Sequence, residues 1–448
     1  MSDLPTGKGG GPSPFVNAFD HPQLNSLRYN TSMAGSPLHL CYGTQRVTVN
    51  LLEFWGFSGS SGGKGGKGLG SSGGKKGSNQ QYAVDVAFGV CQGPVAFEIS
   101  DGGDALRIWA NGGVVSGLGT VGLNGYAGDD GQAPDPVFAS SDTNTPVIGY
   151  SGTAYVTGAP LQLGSSPALP NLSFEIYGVA AGTAGPSYPR DARPDRIVTD
   201  LLTNARYGAG FPAAHLDTAG SLADWGTYCQ AAELAMSLLL DKQLPAARWL
   251  EEIAQLTASA VVWSGNLLKI IPHGDRALSA NGASWNPDLT WQYSLGDGDF
   301  LRWHESGEGG ADPVLLSRTD PAQMTNWLSL EYMDSGNSYN PQLVAVFDQG
   351  LIDQYGIRSE PPMQAHEFTN ATSAGIAAQL LLQRRSYVRN TYRFKLGWRY
   401  ALLEPMDIVQ LTDATLGLDN KAVRITAIEE DDNGELTLAA EEIPEVTP

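Results

Sequence analysis

Turn chemistry recurs along this chain at intervals too short for long helices. Gly43-Thr44, Asp101-Gly102-Gly103-Asp104, Asn111-Gly112-Gly113, Asn124-Gly125, Ser264-Gly265-Asn266 and Asn433-Gly434 each stand beside short apolar runs. Glycine accepts positive φ at no steric cost, and Asn and Asp bond to their own backbone, so such clusters reverse the chain. The runs they bound read as strands. Residues 38–43 and 46–52 form two strands about a tight Gly43-Thr44 turn. Further strands fall at 82–90, 97–99, 106–109, 173–177, 260–263, 267–271, 327–332, 391–396, 408–411, 423–428 and 435–439. The 55 glycines and 27 prolines agree with a turn-rich, mainly β protein.

Helical spacing appears mostly in the middle. Over 194–205, Ile197, Val198, Leu201, Leu202 and Ala205 make one apolar face. Pro194 suits a first helical position, and Gly208 suits the left-handed residue past a helix end. Asp195 and Arg206 read as ordinary surface charges. Residues 222–240 and 245–258 read as two more helices, the latter with Trp249, Ile253 and Leu256 on one side. A last helix, capped by Thr372 or Ser373, carries Ile376, Ala377, Leu380, Leu381 and Tyr387 as its stripe. The fold class is therefore mainly β with a mixed α/β middle (α+β), and 448 residues allow two to four domains.

Between two of the strands lies a run of Gly, Ser and Lys over 58–78. It reads as a long loop inserted within one sheet, spanning roughly 25 Å root-mean-square for Gly-rich chain. Lys64, Lys67, Lys75 and Lys76 make it the one local excess of positive charge, either a disordered solubilising loop or a candidate contact with an acidic partner or a lumen.

The chemistry-bearing residues do not gather. Six histidines are scattered, and Cys41, Cys91 and Cys229 are too far apart for a metal motif, so they read as reduced, buried thiols. Gly62-Gly63-Lys64 lacks the spacing of a phosphate loop. No nucleophile elbow is present. Asp297 with Asp299, and Asp129 with Asp130, read as solvated turns, because the full calcium-loop spacing is missing. Trp249, Trp263 and Trp327 sit in apolar runs and read as core or interface packing. No apolar stretch approaches the length of a membrane span, and the N-terminus lacks a signal-peptide core. A net charge of −20 argues against a general nucleic-acid-binding surface, though not against a channel whose wall repels phosphate. No enzyme, cofactor or metal is expected.

Five ordered segments then resemble one family, the tail-tip or baseplate hub proteins of bacteriophages. These include the N-terminal half of the lambda tail-tip attachment protein and the hubs of gene transfer agents. The segments are Gly35-Ser36-Pro37 through Tyr42-Gly43-Thr44-Gln45-Arg46-Val47; Gly93-Pro94-Val95 with Arg107 to Gly112; Tyr150 to Val156 with Leu169-Pro170-Asn171 and Phe174-Glu175; the run 193–208, with Leu201, Leu202, Tyr207 and Gly208; and Leu403-Glu404-Pro405-Met406-Asp407 with Val423-Arg424-Ile425. Tyr42, Gly43, Arg46, Tyr155, Pro170, Asn171, Phe174, Glu175, Leu201, Leu202, Tyr207, Gly208, Glu404, Pro405 and Asp407 are thus signature positions of structural kind. Met406 stands where the family has glycine, which argues against a glycine-only turn there.

The resemblance implies a hub-like fold with two barrel-like β domains and two smaller ones. Residues 1–94 would form the first barrel domain and 95–187 an inserted β domain with the return to that barrel. Residues 188–311 would be the mixed α/β domain and 312–448 the second barrel-like domain. It implies a homotrimeric structural protein of the virion, made in the bacterial host cytoplasm, that caps the tail tube. Its partners would be the distal tail protein, the tape-measure protein, other tail-tip proteins or fibres, and the host envelope. DNA would pass in transit, with no stable sequence-specific nucleic-acid binding. The competing readings are a tail-associated glycan or peptidoglycan hydrolase and a sugar-binding adhesin.

Overall fold

The computed structural model describes residues 37–61, 80–97, 106–115, 117–141, 148–178, 181–303 and 312–444. Two compact units emerge. The first takes in Met1–Cys41, Arg46–Val179 and Leu240–Lys242; the second takes in Tyr42–Gln45, Ala180–Leu239 and Gln243–Pro448. The chain thus changes unit between Gln45 and Arg46.

In the first unit, strands Asn50–Ser61, Gln80–Gln92, Thr153–Gly164 and Asn124–Tyr126 lie side by side in that order. Asn50–Ser61 pairs antiparallel with Gln80–Gln92, and Ser61 is the register partner of Gln80. The Gly/Ser/Lys run does lie between two paired strands of one sheet, but the first four residues of the loop expected over 58–78, Ser58 to Ser61, belong to the first strand, because they pair with Gln80 to Ala83. Lys64, Lys67, Lys75 and Lys76 themselves lie outside the described residues. A second sheet pairs Leu172–Gly178 with Ile108–Ala110, which turns back into Gly113–Val115. The turn is Asn111-Gly112 alone, with φ of 51° and 85°, the two positive angles a tight hairpin needs.

In the second unit, helix Pro194–Thr203 begins at Pro194 and buries Ile197, Val198, Leu201 and Leu202, as its spacing requires. Asp195 is buried rather than a surface charge, because the Arg193 guanidinium grips both its oxygens at 2.8 and 2.9 Å. Strands Ser259–Ser264 and Leu267–Pro272 form a hairpin about Gly265-Asn266, again with both φ values positive, 58° and 63°. A seven-stranded sheet runs in the order Trp291–Leu295, Ile408–Asp413, Leu418–Glu430, Leu436–Glu442, Asn390–Leu396 and Phe300–Leu301, with Leu315–Arg318 also on Asn390–Leu396. Alternate residues Phe394, Leu396, Val409, Leu411, Val423, Ile425 and Leu438 are fully buried and make its core. Each contributes about 1.5–3 kcal/mol of burial. A three-stranded sheet, Asn340–Phe347 beside Trp327–Asp334 beside Met363–Gln364, packs against helix Ala371–Tyr387.

Several local expectations are overturned. Gly43-Thr44 is no hairpin turn: it begins the strand Gly43–Thr48. Asn124-Gly125 likewise lies within a strand. The helix expected over 222–240 stops at Ala231, because Glu233 takes φ 57° and closes the end. Leu234 N donates to Cys229 O and Glu233 N to Gln230 O, the two bonds of a Schellman end without its usual glycine. Helix Ala371–Tyr387 is capped by Asn370, whose side chain accepts from Ser373 N, rather than by Thr372 or Ser373. Ala205 is exposed and lies beyond its helix.

Candidate functional site

The signature residues fall into separate seats, each built from elements far apart in sequence. In the second unit, Tyr42–Gln45 is held along its whole length. Tyr42 N donates to Leu238 O at 2.9 Å, and the Tyr42 hydroxyl donates to Asp200 Oδ2 at 2.8 Å. Thr44 N donates to Ser237 Oγ, and Thr44 Oγ1 to Arg190 O, both at 2.9 Å. Gln45 Nε2 donates to Ser237 O at 2.6 Å and reaches His366 O at 3.3 Å. Beneath them Ser237 Oγ donates to Asp191 Oδ1 at 2.5 Å, and Thr369 Oγ1 to the same oxygen at 3.2 Å. Burial pushes the Asp191 carboxyl up, against these two hydroxyls that favour its charged form. Gly43 is obligatory here. Its φ is 69°, and a Cβ would stand 2.4 Å from Ser237 Oγ.

Tyr207 joins the same seat, donating to Asp200 Oδ2 at 2.8 Å. Gly208 does not take the left-handed conformation expected of it; Gly210 does, with φ 62°. Gly208 is small for a different reason, since a Cβ would meet Leu201 O at 2.4 Å and Asn204 O at 2.7 Å. The chain after the helix folds back onto its last carbonyls, and Ala209 N donates to Leu201 O.

In the first unit, Glu175 forms a fork with Arg107. Glu175 Oε2 accepts from Arg107 N and Nε at 2.8 and 3.0 Å, and Oε1 accepts from Nη2 at 2.7 Å. Two guanidiniums approach the Trp109 ring, Arg46 at 4.3 Å and Arg107 at 5.1 Å from its centre. Arg46 Nε also donates to Ser173 Oγ at 2.9 Å. Asn171, following the half-buried Pro170, exchanges bonds with Asn111: Asn171 N to Asn111 Oδ1 at 3.0 Å and Asn111 N to Asn171 O at 2.9 Å. Phe174 is buried, edge-on to Phe97. Tyr155 is buried against Tyr126, 4.5 Å away and parallel, and its oxygen accepts from Asp135 N. Burial pushes its hydroxyl up to about 12.

The third seat is the turn at Glu404-Pro405-Met406-Asp407. Glu404 Oε2 accepts from Lys269 Nζ at 2.5 Å, and Asp407 Oδ2 accepts from Glu404 N at 2.8 Å. Met406, where a glycine geometry was not expected, has φ 79° and is buried. Its N–H donates to Ile425 O at 2.7 Å, which fixes that backbone in place.

These seats lock backbone and carry no reactive constellation. Asp299 accepts from Gly296 N and Tyr400 Oη, which hold its carboxyl below the usual range; Asp297 is exposed beside it. Trp249 is core, whereas Trp263 is 55% exposed and lies against Phe211 and His215. Among the described residues, no group of three His, Cys, Asp or Glu could hold a metal ion, and no helix is long and apolar enough to cross a membrane. Sequence reasoning missed Asp191, Ser237, Thr369 and Lys269, and placed Arg107 in a family segment without its partner. Their partners lie far along the chain, and only an oddly placed polar residue in an apolar run hints at them.

Residues 245–428 match the model of a family described as putative phage tail protein. In fold, the chain is similar to one from the virion of a native gene transfer agent particle: TM-score 0.60 at 16% identity, covering 94% of this chain and 88% of that one. A 43 kDa tail protein of prophage MuSo2 from Shewanella oneidensis aligns at 14% identity over 76% of this chain and 98% of its own, with TM-score 0.33. A tail protein from Neisseria meningitidis MC58 aligns at 9% identity over 92% and 99%, with TM-score 0.34. No curated protein matches the sequence. The mainly β, α+β fold and the resemblance to phage tail proteins both stand.

Proposed function

We propose that this chain, a phage tail protein of the virion by its family match and its fold, is the hub of a tail tip. Three copies close into a ring around the distal end of the tail tube, dock the distal tail and tape-measure proteins, and line the passage opened for DNA ejection. The observation that carries this reading is the shared fold over 94% of the chain with a protein of a gene transfer agent virion. Two features support it. The signature residues are spent on fixing backbone, as a load-transmitting part requires. The net charge of −20 gives a passage wall that repels phosphate instead of retaining it. The role is structural, without catalysis, and the four-part division with two barrel-like domains belongs to the same proposal.

Labelling this chain in intact particles and imaging them tests the reading. Label at the tail tip, with three copies per particle by quantitative mass spectrometry, is the expected result. Label along the tube or on the head, or six copies per tip, overturns it. Clearing of cell-wall substrate by the purified chain would favour the hydrolase instead.

A further inference from the structure

Among the described residues, strand Asn340–Phe347 stands at the edge of its sheet. Asp348 N donates to Asn326 O, just before the neighbouring strand, while Trp327 N and Met333 N turn the other way, to Arg358 O and Phe368 O. Alternation then aims the even-numbered residues of 340–347 inward. It leaves the N–H and C=O of Leu343, Ala345 and Phe347 directed outward, with Pro341 offering a C=O only. The side chains of the same residues face solvent. Leu343 is 61% exposed and Phe347 48%, and Ala345 is exposed between them. On the opposite face Val344 lies against helix Ala371–Tyr387 at Gly375. All eight residues of the strand are uncharged, in a chain of net charge −20. Edges of this kind are ordinarily guarded by lysine, a bulge or a cover; here Pro341 guards one end.

We propose that this edge pairs with itself, a second copy of the chain lying antiparallel across a two-fold axis at Ala345. In that register Leu343 stands opposite Phe347 of the partner subunit and Ala345 opposite the partner's Ala345. The three outward N–H groups and three outward C=O groups of each copy all find partners, giving six hydrogen bonds. A shift of two residues either way brings in Pro341, which has no N–H, or runs off the strand into Gln349. Leu343 and the partner's Phe347 also meet side by side, beside the Trp327–Phe347 stack with its 5.0 Å ring separation. The absence of charge matters because two acidic chains could not otherwise approach without like charges facing each other. A two-fold contact is isologous and closes at two copies. A polar tail with a single hub has no place for that mate, so the dimer is a state of the free chain before assembly. The pairing does not rest on the tail reading.

Sedimentation of the full chain over a range of concentrations tests it. The expected result is a mass that doubles with concentration. Leu343→Lys should weaken the dimer at least tenfold, while Leu402→Lys, at a position 84% exposed elsewhere, leaves it intact. Ala345→Cys should give a covalent dimer on oxidation, because opposed Cα atoms at about 5.5 Å suit a disulfide; Cys41, Cys91 and Cys229 are buried and do not compete. A wild-type chain that stays monomeric or runs as a trimer overturns the proposal. So does a dimer that Leu343→Lys leaves unchanged, or cross-linking of Ala345→Cys no faster than that of Leu402→Cys.

Discussion

Tyr42 and Tyr207 donate to one and the same oxygen, Asp200 Oδ2, each at 2.8 Å. Two signature motifs from distant parts of the chain therefore meet at Asp200, which lies within the second of them, on helix Pro194–Thr203. Tyr42 is fully buried, so its hydroxyl has no water to turn to.

Removal of the shared acceptor strands both hydroxyls. Asp200→Ala should cost about 2–4 kcal/mol in denaturant unfolding, against about 1 kcal/mol for Tyr207→Phe alone. The pair Tyr42→Phe and Tyr207→Phe should be non-additive, since both act through one oxygen. Strict additivity would show that the carboxylate is not shared in solution.

Glu367 makes stability fall as pH rises. It is 4% exposed, its Oε2 has no hydrogen-bond partner among the described residues, and burial pushes its carboxyl from 4.5 up to about 7, helped by the nearby charge of Glu252. The folded form holds a proton that the unfolded chain releases. The stabilisation is complete below pH 4.5 and is lost progressively up to about pH 7, roughly 3 kcal/mol in all. Glu367→Gln should flatten that slope; unfolding curves whose pH dependence is unchanged by the substitution contradict this.

The acid limb has the opposite sign. Burial, with the guanidiniums of Arg384 and Arg424, holds His273 down at about 4 against Glu441, which favours its charged form. Glu441 is itself pulled down to about 2 by His273 and Arg384 despite burial. The contribution of these two groups should therefore drop as pH falls from 6.5 towards 4, as the unfolded histidine gains a proton, with Glu367 opposing that step down to about pH 4.5, and again from 4.5 towards 2, as the unfolded carboxylate does. His273→Phe should remove the first step and shrink the second, since Arg384 is left to hold Glu441 down without His273. A first step that survives this substitution assigns it to another group.

Met406 carries a glycine's backbone angle, φ 79°, on a buried side chain. Relief of the left-handed penalty, about 1–2 kcal/mol, offsets most of the loss of its burial. Met406→Gly should therefore cost no more than the roughly 2–5 kcal/mol usual for truncating a buried methionine to alanine, although it removes more of the side chain. Met406→Ile should cost more than 2 kcal/mol, because a β-branched residue fits that angle worst. Equal costs in thermal unfolding would refute the strain.

Gly208 can be separated from a left-handed glycine by a pair of substitutions. Asparagine tolerates positive φ, so it would rescue a position that needs only that angle. At 208 the obstacle is Leu201 O, 2.4 Å from a Cβ. Both Gly208→Ala and Gly208→Asn should destabilise by about 2 kcal/mol or more. Rescue by asparagine alone would restore the left-handed explanation.

What the sequence made legible was local. Asn111-Gly112 and Gly265-Asn266 sit at two-residue turns because their chemistry fits no other local use as well. The apolar stripe of 194–203 fixed its buried face for the same reason. Where a residue's conformation is imposed by distant partners, the reading failed. Glu233 and Met406 take positive φ without the residue types that announce it. Gly43 serves a close approach to Ser237, far along the chain, rather than a turn with Thr44. The seats of Tyr42–Gln45 were invisible for the same physical reason: hydrogen bonds to Ser237, Asp191 and Arg190 leave no periodic trace.

Ser61 and Gln80 oppose each other across one sheet. Whatever chain runs between them starts and finishes at nearly one point, about 5 Å apart. The free energy of closing such an excursion grows only with the logarithm of its length, about 0.6 kcal/mol for each doubling. This joint is thus a port at which foreign sequence, such as a peptide epitope or a small folded module, can be grafted while the two strands stay in register.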